Sequence, residues 1–319
     1  MRLSRVVVRT SLALLVAFVT NGAPAQDYPS KVIRILATPA GGGGDTVARI
    51  VAQELVSAWG QRVVVDNRNG IIANETAAKA PPDGYTLLIQ STGLWLLPLL
   101  RKDASWEAIR DFSPVTLAIR QPNILVVHPS LPVKSVKQLI ALAKARPGEL
   151  NYATGNIGST THLGSELFNS MAGVKIVSIY YKGTAFALTD IMAGQVQVMF
   201  SNAASVTPLI KAGKLRALGV TYAQPTALAP GLPTVAASVP GYETQTILGI
   251  FAPAGTPATI IKRLNQEIAR ALSKAEIKDR LFNIGMEAVG GSPEQLQAAV
   301  KAEIVKWGKV IKDKNIHLD

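Results

Sequence analysis

Two short glycine-containing segments carry the polar chemistry of this chain. The first is Thr38-Pro-Ala-Gly-Gly-Gly-Gly-Asp45-Thr46, directly after the β-rich run 32–37. The second is Thr154-Gly-Asn-Ile-Gly-Ser-Thr-Thr-His162, after the run 151–153. Both lead into stretches of helical periodicity. Glycine lets the main chain approach a ligand without a Cβ, and the first N–H groups of a helix have no main-chain partner and are electropositive. Such a turn can hold a carboxylate without any lysine or arginine. One loop of this kind reads equally well as an ordinary capped βα turn. Two of them, in separate halves of the chain, point toward an anion site, and on the residues alone both readings stay open.

The familiar catalytic arrangements are missing from the sequence. His128, His162 and His317 are far apart and lack metal-ligand spacing. No G-x-S-x-G elbow occurs. Gly41 to Gly44 is not followed by Lys-Ser/Thr, and a G-x-G-x-x-G beginning at Gly41 would need glycine where Thr46 stands. Cysteine is absent, which excludes disulfides, thiol nucleophiles and zinc–thiolate sites. The expectation is a binding protein with no catalytic residues, no metal and no cofactor.

The N-terminus has the layout of a secretory signal. Arg2, Arg5 and Arg9 precede or flank a short apolar stretch, and Ala23-Pro24-Ala25 supplies small residues for cleavage after Ala25. The run 11–19 is well short of the ~20 apolar residues of a spanning helix. Cleavage of 25 residues from 319 leaves 294, and with three arginines gone the formal charge falls from +12 to +9. Lysines and arginines are spread singly, with no basic stripe interleaved with aromatics, so nucleic acid is not an expected partner. Attraction of anionic solutes and a merely basic surface both remain compatible with the charge.

These loops need elements to position them, and the periodicity supplies βα units. Strands are expected at 32–37, 63–65, 85–89, 124–127, 176–179, 196–200 and 215–220. Helices are expected after Asp45, with Val47, Val51 and Leu55 on one face, and around 136–145, 162–171, 185–192 and 203–211. Repeated βα units imply a mostly parallel sheet covered by helices. Two or three helices end the chain. One carries Ile260, Ile261, Leu264, Ile268 and Leu272 on a face. Another opens at Ser292-Pro293-Glu-Gln295, a capping signal, and continues with Leu296, Val300, Ile304, Trp307 and Ile311. Trp307 fits a core stripe better than a ligand stack. Proline punctuation suggests that the chain crosses twice between two lobes: residues 26–122 with 249–319 form the first, and 123–248 the second.

The motifs together resemble the extracytoplasmic solute receptors of tripartite tricarboxylate transporters, the Bug-type receptors, over essentially the whole mature chain. The resemblance runs through Tyr28-Pro-Ser-Lys-Val-Ile-Arg, Gly42-Gly-Gly-Asp45-Thr-Val-Ala-Arg49, Val65-Asp-Asn-Arg68 and Pro82-Asp-Gly-Tyr-Thr-Leu87. It continues with Asp111-Phe-Ser-Pro-Val115, Gly155-Asn-Ile-Gly-Ser159 with His162-Leu163, Tyr181-Lys-Gly183, Asp190 and Ala193-Gly-Gln-Val196. It ends with Leu232-Pro-Thr234 and Ala252-Pro-Ala-Gly-Thr-Pro257. Each piece is weak alone; the specificity lies in their order and spacing.

The resemblance implies a two-lobed type II periplasmic-binding-protein fold, an α/β architecture with the C-terminal helices packed on the first lobe. The lobes would close over a small organic acid. Gly42, Gly43, Gly44, Asp45 and Thr46 would face it from one lobe, and Gly158, Ser159 and Thr160 from the other. His162 would support the second loop, or else serve as a cap or core residue. Asp190 would meet an amino or hydroxyl group, or else be a solvated helix acid. The protein would be a periplasmic monomer that hands its ligand to transporter membrane subunits, with a sensor kinase as the alternative partner and an exported enzyme as the remotest reading.

Four places depart from the family pattern. Asn67-Arg-Asn-Gly-Ile-Ile-Ala73 stands where Asn-Arg-Pro-Gly-Ala-Gly-Gly is usual, which puts Ile71 and Ile72 at ligand-facing positions. Thr38-Pro39, Ala237 and Ile247 replace the usual Pro-Phe, acid and tryptophan. The isoleucines imply a narrower, drier cleft that favours mono- or dicarboxylates, with apolar or aromatic bodies, over tricarboxylates.

Overall fold

Alternation of apolar side chains sets up each sheet with two buried faces. The computed structural model describes residues 28–38, 40, 42–155, 158–181 and 183–316, so the signal segment lies outside the described residues. In chain order the first half runs β1 (Ile33–Ala37), α1 (Gly43–Trp59), β2 (Val63–Asn67), α2 (Gly70–Ala78), β3 (Thr86–Gln90), α3 (Leu97–Leu100), β4 (Phe112–Val127), α4 (Val136–Ala145), β5 (Asn151–Thr154) and α5 (Thr160–Ala172). The second half runs β6 (Val177–Tyr180), α6 (Thr184–Met192), β7 (Val198–Asn202), α7 (Ala203–Lys211), β8 (Arg216–Val220), β9 (Gln245–Pro253), α8 (Ala258–Ser273), α9 (Ala275–Asn283), β10 (Glu287–Ala288) and α10 (Pro293–Asp313).

The strands form two continuous sheets in the order β2-β1-β3-β9-β4-β7-β5-β6, with β8 and β10 also on β4. Pairing is parallel in β2-β1-β3 and in β7-β5-β6, and antiparallel wherever β9 or β4 takes part. The 16-residue β4 belongs to both sheets. Its residues Phe112 to Pro122 pair with β9, and Asn123 to Val127 pair with β7 and β8. Sequence reading places only residues 124–127 of this strand, because Pro114 and Pro122 look like breaks. Proline lacks a ladder N–H and is tolerated at irregularities. Pro114 borders a register shift, and Pro122 is the last residue paired with β9 before β4 changes partners.

Each sheet is covered on both faces. In the first, Ile33, Ile35 and Leu87 face α1 and α8, while Leu36 and Leu88 face α2 and α10, as the period of two in a strand requires. The expected helical faces are buried: Val47, Val51 and Leu55 on α1, Leu264, Ile268 and Leu272 on α8, and Leu296, Val300, Trp307 and Ile311 on α10. Trp307 is fully buried and its indole N–H donates to Glu303 at 2.6 Å. In the second sheet, Leu125, Phe168 and Tyr242 fill the α4–α5 side, and Ile124, Ile191 and Val206 the α6–α7 side. The two halves also share side chains. Leu163 of α5 belongs to the cluster around Trp307, and Lys306 of α10 donates to the Glu243 carbonyl.

The capping box that opens α10 is present in both directions. Ser292 Oγ accepts from Gln295 N–H at 3.2 Å, and Gln295 Oε1 accepts from Ser292 N–H at 2.8 Å. Ser292→Ala removes one of these bonds and should cost about 1 kcal/mol, read as a lower urea midpoint with an unchanged slope.

Candidate functional site

In the first sheet the carboxyl ends of β2, β1 and β3 lie side by side, with Ala37 opposite Asn67 and Leu36 opposite Leu88. The chain leaves β1 into α1, β2 into α2, and β3 into the turn holding Thr92. α1 has Gly42 as its N-cap and no side-chain cap. Thr46 returns both N–H (3.0 Å) and Oγ1 (3.2 Å) to the Gly42 carbonyl. The helical ladder therefore makes no use of the Gly43 and Gly44 amides. A side chain on either glycine would force a neighbouring side chain to shift. A Cβ on Gly43 would lie 2.7 Å from Met286 Cε, and one on Gly44 would lie 2.6 Å from Thr38 Oγ1.

The carboxylate of Asp45 serves the protein. It receives Arg49 Nε and Asn67 Nδ2, each at 2.9 Å, and Asn67 Nδ2 also reaches the Thr38 carbonyl at 2.8 Å. This network ties the end of β2 to the loop before α1. At the start of α2, Asn69 caps the Ile71 N–H at 3.1 Å. Ile71 packs partly against the core, whereas Ile72 is 50 % exposed. Beneath them Gln90 Nε2 donates to Asn74 Oδ1 at 3.0 Å.

In the second sheet β5 leads to α5, whose N-cap is Ser159. Ser159 Oγ accepts from His162 N–H at 3.3 Å and lies 3.1 Å from Thr161 Oγ1. The Gly158 N–H is engaged by His162 Nδ1 at 3.0 Å, and His162 Nε2 is 3.1 Å from Tyr180 Oη. His162 is 2 % exposed, and burial pulls its pKa from 6.5 down to about 4. The unfolded chain therefore binds more protons between those values. The stabilisation from neutral His162 is complete above about pH 6.5 and is lost as the pH falls toward 4. The stability difference between wild type and His162→Gln in urea titrations should accordingly shrink from pH 7 to pH 4.5.

The halves meet at this helix start. Thr160 Oγ1 lies 3.4 Å from Thr92 Oγ1, both residues being buried. Gly158, at φ +79°, sits against Leu100 of α3, where any Cβ would collide with Cδ1. Gly158, Ser159, Thr160 and His162 are thus brought together, with the Gly42–Thr46 turn and the Ile71–Ile72 turn at neighbouring strand ends on the Thr92 side. Asp190 lies further out. It accepts from Tyr181 Oη at 2.8 Å and lines a surface hollow of roughly 390 Å³ with Tyr180, Tyr181, Thr189 and the exposed Phe186. Sequence reading does not single out Thr92, Leu100 or Tyr180 as site residues. Each reaches α5 through tertiary structure, Thr92 and Thr160 being 68 positions apart.

Among the described residues no group of three or more His, Asp or Glu could hold a metal ion, and no helix is long and apolar enough to cross a membrane. What the site offers is main-chain N–H groups at helix starts, flanked by hydroxyls, which suits an anion. A model of the family described as tripartite tricarboxylate transporter family receptor matches residues 47–316. The chain belongs to that family. The receptor is 32 % identical over 324 residues to protein BugT of Bordetella pertussis, covering 98 % of each chain. It superposes on R. palustris Rpa4515, solved with adipate, with TM-score 0.82 and 40 % identity over 91 % of this chain and 99 % of that one. It also matches MatC from Rhodopseudomonas palustris, solved with bound malate, with TM-score 0.77 and 28 % identity over 89 % and 100 %. The family and these neighbours are solute-binding receptors rather than enzymes, and the fold is that of their periplasmic binding proteins.

Proposed function

We propose that this receptor captures a small mono- or dicarboxylate between its lobes in the periplasm and delivers it to the membrane subunits of a tripartite transporter. The observation that carries this reading is the α5 start, with unladdered amides at Thr160 and Thr161, touching Thr92 from the first sheet, whose neighbouring strand ends open α1 and α2. Unlike charge from lysine or arginine, helix-start amides are fixed and directional, and they hold an anion without flexible side chains. The adipate held by Rpa4515 and the malate held by MatC support a dicarboxylate. The lobes are proposed to divide where β4 changes partners, between Pro122 and Asn123. The chain would return at the start of β9, slightly before the 248/249 junction expected from sequence.

Ile71 and Ile72 favour an apolar ligand body. Each buried methylene contributes about 0.8 kcal/mol, a several-fold preference. The test is mass spectrometry of small molecules retained on purification, followed by calorimetry with adipate, malate, benzoate and citrate. Saturable, turnover-free binding of adipate or benzoate in preference to citrate is expected. Tight citrate binding with no response to the others would overturn the selectivity.

A further inference from the structure

We propose that His162 is a positioning residue: as the neutral tautomer with its hydrogen on Nε2, it fixes the loop before α5 by accepting the Gly158 N–H, and thereby aims the Thr160 and Thr161 amides at the ligand carboxylate. This rests on the carboxylate reading only in its last step. A main-chain N–H can only donate, so at 3.0 Å from Gly158 N the Nδ1 atom must present its lone pair. A neutral imidazole then carries its hydrogen on Nε2, which donates to Tyr180 Oη at 3.1 Å. The tautomer is thereby set by an immovable donor on one side and an adaptable hydroxyl on the other.

Two consequences follow for the ligand loop. The Gly158 amide is spent inside the protein and is not a ligand donor, although Gly158 belongs to the glycine loop that marks the site. The loop is also closed on itself. Ser159 Oγ caps the His162 N–H while the His162 ring holds the Gly158 N–H, so side chain and main chain lock residues 158–162 from both ends. The amides of Thr160 and Thr161 lie between these two anchors and are left unpaired by the helical ladder. Burial of the ring excludes water as a competing donor, and desolvation keeps it uncharged.

Two amide substitutions separate the halves of this arrangement. In His162→Asn the side-chain oxygen occupies the position of Nδ1, and in His162→Gln the terminal amide reaches that of Nε2. A third variant, Tyr180→Phe, removes only the hydroxyl. The first readout needs no ligand: hydrogen exchange of the Gly158 amide and the ring ¹⁵N shifts of His162 by NMR. Wild type, His162→Asn and Tyr180→Phe should protect Gly158, and His162→Gln should exchange about tenfold faster. The second readout is adipate titration, in which His162→Asn should stay within about threefold of wild type and His162→Gln should lose about tenfold. A hydrogen found on Nδ1, equal Gly158 exchange in wild type and His162→Gln, or full adipate affinity in His162→Gln despite fast exchange would each overturn the proposal. A wild type that ignores adipate while Gly158 follows the expected pattern supports the positioning and counts against the carboxylate reading alone.

Discussion

Ser159→Asp is expected to abolish carboxylate binding while the empty protein melts at or above the wild-type temperature. Aspartate is as good an N-cap as serine, so it can accept the His162 N–H that Ser159 Oγ now receives. Its charge also sits favourably at a helix start, by about 0.3–1 kcal/mol. The same charge stands where the ligand carboxylate belongs. Two anions about 4 Å apart at an effective dielectric of about 20 repel by roughly 4 kcal/mol, close to a thousandfold in affinity. Ser159→Ala should lose the cap and one hydrogen-bonding group, with about ten- to a hundredfold weaker binding and a lower melting temperature. The opposite signs in affinity and melting temperature for the aspartate variant are the diagnostic. Calorimetric titration with adipate beside apo melting curves measures both, and unchanged affinity in Ser159→Asp would remove this loop from the site.

Gly158→Ala should be nearly as damaging, by a different route. The residue is held at φ +79°, where a side chain costs about 1–2 kcal/mol. The new methyl would also be driven into Leu100 Cδ1, and overpacking a tight contact typically costs about 1–3 kcal/mol. Leu100 comes from the first sheet's side and Gly158 from the second, so the collision falls where the two halves of the fold touch. The variant should bind adipate at least tenfold more weakly. Leu100→Ala in that background should restore the steric share and leave the backbone share, so the two changes should be non-additive in a double-mutant cycle. Strict additivity would mean that Leu100 and Gly158 do not press on each other in solution.

The sequence discloses the helices packed on the second sheet, and the start of α10, almost to the residue. α4 and α7 fall at 136–145 and 203–211 as their periodicity predicts, and Ser292-Pro-Glu-Gln295 marks α10 by its capping chemistry alone. These signals are local and need no partner. The long central strands were not legible for the same reason. Gly249 in β9 has no room for a Cβ, which would lie 2.7 Å from Leu296 and from the Phe251 ring, yet a glycine weakens the strand signal of its own sequence. Around the site, the glycine loops could be found from composition because glycine and hydroxyl residues before a helix have a known use. Thr92 and Tyr180 could not, since a lone threonine or tyrosine gains meaning only from what folding sets beside it. The role of Asp45 also needed coordinates: the resemblance sets it among the ligand-facing residues, and only the positions of Arg49 and Asn67 show its carboxylate bonded to the protein.

The placement of β9 dictates when the molecule can be finished. β3 and the first part of β4 are separated by β9, and α8 and α10 cover the two faces of the same sheet, all from the last quarter of the chain. A growing polypeptide that has reached Thr244 has made β1 to β4 but holds no strand to join β3 to β4. Its residues Ile33 and Ile35 still lack α8 on one face, and Leu36 and Leu88 still lack α10 on the other. Contacts of such long sequence separation form late and slowly. Synthesis from the N-terminus therefore yields an incomplete first sheet until the final helices emerge, and a truncation before residue 245 should be caught by chaperones or aggregate rather than fold into a smaller domain. For a chain whose N-terminus reads as a secretory signal, late closure would keep it threadable during transit.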